Sequence, residues 1–333
     1  MTAMNVDDMI PGENSSKLFR VRQIVESVEA KPVSSISDSV LRLNAQPSKA
    51  YYYWLMAPAV LLLAAISLYP FFWMIYMSLH NVDIGLVEWN DFQNFTKLLT
   101  DNRFLNGWKL LIWYSFLCLF LQITIGVFLA IALNGSRFEK FLVTTMLMPM
   151  MMAPIVAGMV WYFLYNGTFG WYHWIFQSLG ILGAKSILAD TKTAIWGVVL
   201  VDVWQWTPLI TLITLAGLKR VPQDQLEANM VDGASPFRNF MSVTLPNLYP
   251  VLLIAIMLRF MDNFRFIDSL LVLTGGGPAD STKILPVYLY EVSFRFTKLG
   301  RGAAIALILL IITIILGKIL VRIFDRQSAP VKN

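Results

Sequence analysis

The residues best equipped to bind a solute sit inside apolar stretches. The run from Leu248 to Leu273 carries Arg259, Asp262, Asn263, Arg265 and Asp268. Charge in hydrocarbon is costly, and such residues face protein or a water-filled path. Arg259, Asp262, Asn263 and Phe266 share one stripe by i+3 and i+4 spacing. A guanidinium, a carboxylate and an amide on one stripe suit hydroxyls or an anionic group, as in a translocation pathway. The alternative is an internal Arg259–Asp262 pair that only fixes helix packing. Arg265 and Asp268 point elsewhere on the same helix and fit the outer water boundary. A second set is Trp204, Gln205 and Trp206, within the apolar run Ala194 to Ala216. Flat aromatic faces and an amide suit the C–H faces and hydroxyl edges of a sugar. Tryptophans also anchor span ends at the membrane interface, but these three lie mid-span.

Other chemistry has no support. The phosphate-cradling pattern G-x-x-x-x-G-K-[ST] is missing, and Gly275-Gly276-Gly277-Pro278 has no Lys-Ser or Lys-Thr after it. No H-E-x-x-H or G-x-S-x-G constellation appears, so there is no candidate catalytic residue. One cysteine, Cys118, and two histidines give no zinc spacing and no intrachain disulfide. The methionines Met146, Met148, Met150, Met151 and Met152 read as flexible packing, not a metal path. No basic run with interleaved aromatics suggests a nucleic-acid groove.

These residues need a membrane to hold them. Of 333 residues 57% are hydrophobic and 14% charged, against about 25% charged in soluble domains. The chain reads as an all-α membrane protein with six transmembrane helices. The spans are Trp54 to Leu79, Leu110 to Leu133, Leu142 to Tyr165, Ala194 to Ala216, Leu248 to Leu273 and Gly302 to Phe324. Trp171 to Leu182 is apolar but too short to cross, and reads as an interface helix. With the N-terminus inside, inner segments carry eleven Lys and Arg and outer loops nine, which favours that orientation weakly. Residues 1–48 form a polar cytoplasmic tail without a secretory signal. Leu18, Val21, Val25 and Val28 there fall at the spacing of an amphipathic helix. Residues 49–326 are the six-span domain, 217–247 a loop within it, and 327–333 a short tail.

That loop has a definite local form. Val221-Pro222-Gln223-Asp224 reads as a helix start with a capping Asp, and Asp232-Gly233 as its break. Ser235 can cap a second helix with Pro236 at its first position. Phe237, Phe240 and Met241 then share one face. The prediction is a helix-turn-helix outside the membrane with an apolar knob, and such a knob meets a partner.

Here the sequence resembles a family. Glu227, Ala228, Gly233, Ala234, Val243, Leu245 and Pro246 match the EAA loop of permease subunits of ATP-binding-cassette importers, with Asn229 in place of the second alanine. Asp202-Val203-Trp204-Gln205-Trp206-Thr207-Pro208 and Leu273-Thr274-Gly275-Gly276-Gly277-Pro278 resemble the sugar and polyol branch, which includes maltose and glycerol-phosphate permeases. The resemblance covers roughly Tyr52 to Asp325. It implies ATPase coupling through Glu227, Ala228, Asp232, Gly233, Ala234, Phe237, Phe240, Leu245 and Pro246. It implies a substrate pathway at Trp204, Gln205, Trp206, Arg259, Asp262 and Asn263. The expected setting is a bacterial inner membrane. Expected partners are a second, homologous permease or another copy, a dimeric cytoplasmic ATPase that binds ATP and magnesium, and an extracytoplasmic solute-binding protein. This chain would bind no cofactor itself. The rival is a stand-alone ion-coupled carrier, which predicts internal symmetry and helices broken around an ion site.

Overall fold

A computed structural model describes residues 20, 23, 49–83, 86–180 and 186–328. The expected amphipathic helix of the tail lies outside them. The chain divides into two compact units, residues 1–69 and 70–333. Helix α1 (Lys49–Ser78) begins in the first and ends in the second. The second unit continues with a small antiparallel hairpin, β1 (His80–Asp83) and β2 (Leu86–Trp89), in which His80 faces Trp89 across the pair. Then follow α2 (Gln93–Leu99), α3 (Asn102–Leu133), α4 (Glu139–Met151), α5 (Pro154–Leu164), α6 (Trp171–Ser178) and α7 (Ala194–Leu218). The rest is α8 (Gln223–Val231), α9 (Pro236–Asn239), α10 (Leu245–Asn263), α11 (Asp268–Leu273), α12 (Leu285–Tyr290) and α13 (Leu299–Ser328).

Among the described residues five helices are long and apolar enough to cross a membrane, or six when α4 and α5 count as one span. Those two are bent by 96°. The expected span Leu142 to Tyr165 is therefore broken. Met152 and Ala153 are extended, between Pro149 inside α4 and Pro154 opening α5. A proline lacks the N–H that continues the ladder and crowds the preceding turn. The fifth span is also shorter than expected. It ends at Asn263, and Asp268 to Leu273 is a separate short helix packed on α5. Its other end is longer, because α9 runs into α10 through a π-turn over Phe240–Thr244 without a break.

The most buried helix is α7, packed along α3. A Cβ on Gly126 of α3 would stand 2.8 Å from Ile210 of α7. Only glycine allows this approach, the means by which membrane helices gain contact without a hydrophobic driving force. On α5, Gly158 meets the Ser269 backbone of α11 in the same way, at 2.9 Å. The core around α3, α7 and α10 thus fixes its polar residues by close backbone approach.

Candidate functional site

Arg259 of α10 is 2% exposed, and its closest partner lies on another helix. Its Nη2 donates to both carboxylate oxygens of Asp202 on α7, at 3.1 and 2.9 Å. The same nitrogen donates to Asn263 Oδ1 at 3.0 Å, and Nε donates to Gln122 Oε1 of α3 at 3.1 Å. Asp262 is farther, 3.7 Å from Nη1. Gln122 closes the ring by donating to Asp202 Oδ2 at 2.8 Å. The Arg259 guanidinium lies over the Trp206 ring, 4.8 Å from its centroid. Burial explains the arrangement: a lone guanidinium at this depth demands an equally buried counter-charge. Of the carboxylates close to Arg259, only Asp202 is equally buried. The internal Arg259–Asp262 pair of the alternative reading is present, and Asp202 adds a closer, fully buried partner to it.

The expected pathway residues separate into two groups. Arg259, Asn263 and Gln205 are buried against protein. Asp262 keeps 30% of its side chain exposed and accepts from Arg265 Nη2 at 2.6 Å; Arg265 is 82% exposed. Trp204 and Trp206 are half-buried, and Trp204 meets Trp161 of α5 edge-on at 5.4 Å. Arg265 and Asp268 are both exposed, clear of the buried ring. Sequence reasoning missed Gln122 and gave Asp202 no role of its own. An isolated acid in an apolar run was the available signal for Asp202. Nothing marks Gln122, which lies 80 residues away in the chain.

Gln205 has a structural task at the bend. Its Nε2 donates to the Met152 carbonyl at 3.0 Å, where the α4 ladder stops. A carbonyl freed by a proline break inside a membrane must find such a donor. Gln205→Leu is therefore expected to leave that carbonyl unpaired at a cost of about 1–3 kcal/mol. Hydrogen exchange should show faster exchange at the amides of residues 155–158. Unchanged protection there would remove this role.

At the other end of α7 lies the helix-turn-helix. Pro222, not an acid, stands at the start of α8, with Asp224 in the first turn. The Ser235 hydroxyl accepts from the Arg238 amide at 3.3 Å, as a cap should. Gly233 has φ +78°, the left-handed conformation that suits glycine. Asn229 donates to Asn239 Oδ1 at 2.9 Å and to Ser242 Oγ at 3.0 Å, tying the two short helices together. This gives a reason for an amide where the resemblance has alanine. Glu227, Ala228, Asp232, Gly233, Phe237 and Pro246 are exposed, and Ala234, Phe240 and Leu245 half-buried. The apolar face differs from the one expected. Phe237 is 70% exposed, while Phe240 turns toward a cleft beneath the loop. Met241 is exposed as expected, and Val231, 87% exposed, and Met230 add to the exposed apolar surface. An ion pair between Lys219 and Glu139 anchors α4 to α7 at this end.

A family model described as the binding-protein-dependent transport system inner membrane component matches residues 122–329. The chain belongs to this family. It is thus a multi-pass inner-membrane transport component, and the stand-alone ion-coupled carrier is set aside. The trehalose/maltose transport system permease protein MalF of Thermococcus litoralis is 30% identical over 79% of this chain and 89% of its own length. The sn-glycerol-3-phosphate transport system permease protein UgpA of Agrobacterium fabrum is 31% identical over 84% of this chain and 97% of its own. A bacterial ABC transporter involved in the import of the acidic polysaccharide alginate has the same fold, with a TM-score of 0.73 at 15% identity, over 84% of this permease and 96% of that chain.

Proposed function

We propose that this permease is one of two membrane subunits of an ATP-driven importer for carbohydrates or polyols. The observation that carries the coupling half is the exposed apolar face of Val231, Met230 and Phe237 on a loop stitched rigid by Asn229. Exposed apolar surface on a helix-turn-helix held together in this way is a docking surface. The partner is a cytoplasmic ATPase dimer, which holds the ATP and magnesium, so this chain hydrolyses nothing. That contact puts residues 217–247 and the N-terminus in the cytoplasm. The opposite end then receives a solute-binding protein, and the second membrane subunit is a homologous permease. The solute class rests on the relatives named for trehalose, maltose and glycerol phosphate. Half-buried Trp204 and Trp206 supply faces for sugar C–H groups, and Asp262 supplies a carboxylate for hydroxyls. Arg259, Asn263 and Gln205 hold that surface in place from behind. Alternating access follows as ATPase closure moves the loop.

The test reconstitutes the chain with its permease, ATPase and binding-protein partners in vesicles and offers a panel of labelled sugars, polyols and glycerol phosphate. Uptake is expected only with ATP, the ATPase and the binding protein together. Uptake by this chain alone without ATP would end the proposal. Uptake of amino acids or ions, but of no hydroxyl-rich solute, would end the solute assignment.

A further inference from the structure

At the end of the unit opposite the helix-turn-helix, basic side chains converge on a cleft that the transport reading leaves unused. It has a volume of about 530 Å³ and lies between α2, the start of α3, the segment after α12 and the start of α13. Lys97, Arg103, Lys298 and Arg301 line it, with Asp101 and Tyr288. Asp101 takes three roles there. It caps α3 by accepting from the Arg103 amide at 2.9 Å. It accepts from the Tyr288 hydroxyl at 2.5 Å, and it pairs with Arg301. Burial pushes the Asp101 carboxyl up, but the bonds from Tyr288 and the Arg103 backbone and the charge of Arg301 outweigh it and hold it below the usual range. It therefore stays ionised at neutral pH and uses one cation of the four.

The remaining charge is not cancelled. Arg103 reaches Asp280 at 3.5 Å, and Asp280 is already shared with Lys283, which also pairs with Glu291. Counting these neighbours, five cations face three carboxylates, an excess of two positive charges. Among the described residues Lys97 and Lys298 have no ion-pair partner, and the Arg301 Nε is buried with no acceptor. Helix α13 also opens at the cleft with the positive end of its dipole. Two guanidinium groups paired with carboxylates and two unpaired ammonium groups, all lining one cleft, make a frame for a tetrahedral dianion.

We propose that this cleft binds a phosphate group. Phosphate matches the two surplus charges, and its oxygens can accept from the exposed Lys97, Arg103 and Lys298 side chains that line the cleft. The phosphate can come from a phospholipid headgroup or from a soluble ligand, and the two are separable by experiment.

The test uses the full chain purified with its accompanying transporter subunits. Inorganic phosphate, at fixed ionic strength against chloride, is expected to raise Tm saturably in detergent. The variant K97Q/K298Q changes two exposed side chains without ion-pair partners and is expected to fold normally while weakening that response about tenfold or more. The same titration in nanodiscs identifies the source. Loss of the response in phosphatidylglycerol but not in phosphatidylcholine assigns the site to a headgroup. A response equal in both lipids assigns it to a soluble phosphate ligand. A response to phosphate no larger than to chloride, or one undiminished in K97Q/K298Q, overturns the proposal. None of these outcomes depends on which solute is carried.

Discussion

Arg259→Met alone is expected to prevent accumulation of folded protein, and adding Asp202→Leu is expected to restore it. The single change strands the Asp202 carboxylate, 1% exposed, with only the Gln122 amide and the weakly donating Cys118 thiol beside it among the described residues. Breaking one side of a buried pair costs about 3–5 kcal/mol, whereas replacing both sides with apolar groups of similar size is close to neutral. Gln122 Oε1 loses its donor, Asp262 loses an ion-pair contact, and two further groups feel the change. Asn263 loses a donor, and Trp206 loses the cation over its ring, a contact of about 2 kcal/mol when desolvated. The measurement is the amount of monodisperse protein in detergent and its Tm, for both singles and the double. The expected order is wild type near the double, with both singles far below. Transport by the double then reports on function. Near-normal uptake agrees with a clamp behind the pathway. A folded double variant that binds its partners but moves no solute would show that Arg259 meets the solute in another conformation, and would return it to the pathway. Singles as stable as wild type would refute the clamp.

The second large effect is expected at Gly233. Among the described residues no atom beyond the chain neighbours stands within 4 Å of a Cβ built there, so a side chain starts into open space. Its φ of +78° imposes a local cost of about 1–2 kcal/mol on any other L-residue. That is too small to unfold the permease. Gly233→Trp would project a large ring from the turn between α8 and α9, beside Val231. Membrane level and Tm should change little, while the ATPase subunits fail to co-purify and ATP-driven uptake is largely lost. Gly233→Asn, which tolerates the left-handed conformation without the bulk, should keep most of both. ATP-driven uptake at wild-type rates in Gly233→Trp would count decisively against docking through this turn.

The sequence carried some of this and not the rest, for reasons set by the range of each interaction. Hydropathy located the spans because every backbone group in lipid must be satisfied locally, so the signal is continuous along the chain. Ser235 and Pro236 announced the α9 cap because a cap depends on three or four adjacent residues. The bend between α4 and α5 was less legible. Pro149 and Pro154 lie within one continuous apolar stretch, and a proline alone does not decide, since Pro250 sits inside α10 without breaking it. What distinguishes the bend is Gln205, 53 residues away, which supplies the missing donor. The Arg259 ring has the same character. Its members come from positions 122, 202, 259 and 263, and only the last two are near enough in sequence to be seen together.

The unbroken passage from α9 through the π-turn into α10 has a mechanical consequence. Phe237 and Arg259 are ends of one lever, 22 residues apart, or about 33 Å at the helical rise. A tilt of about 5° imposed at the Phe237 end displaces the Arg259 end by about 3 Å over that length. That is the length of a hydrogen bond, so the ring around Arg259 can follow such a stroke only by letting go. The wide π-turn at Phe240–Thr244 is where the lever has most compliance. Stiffness there sets how much of a push at one end arrives at the other.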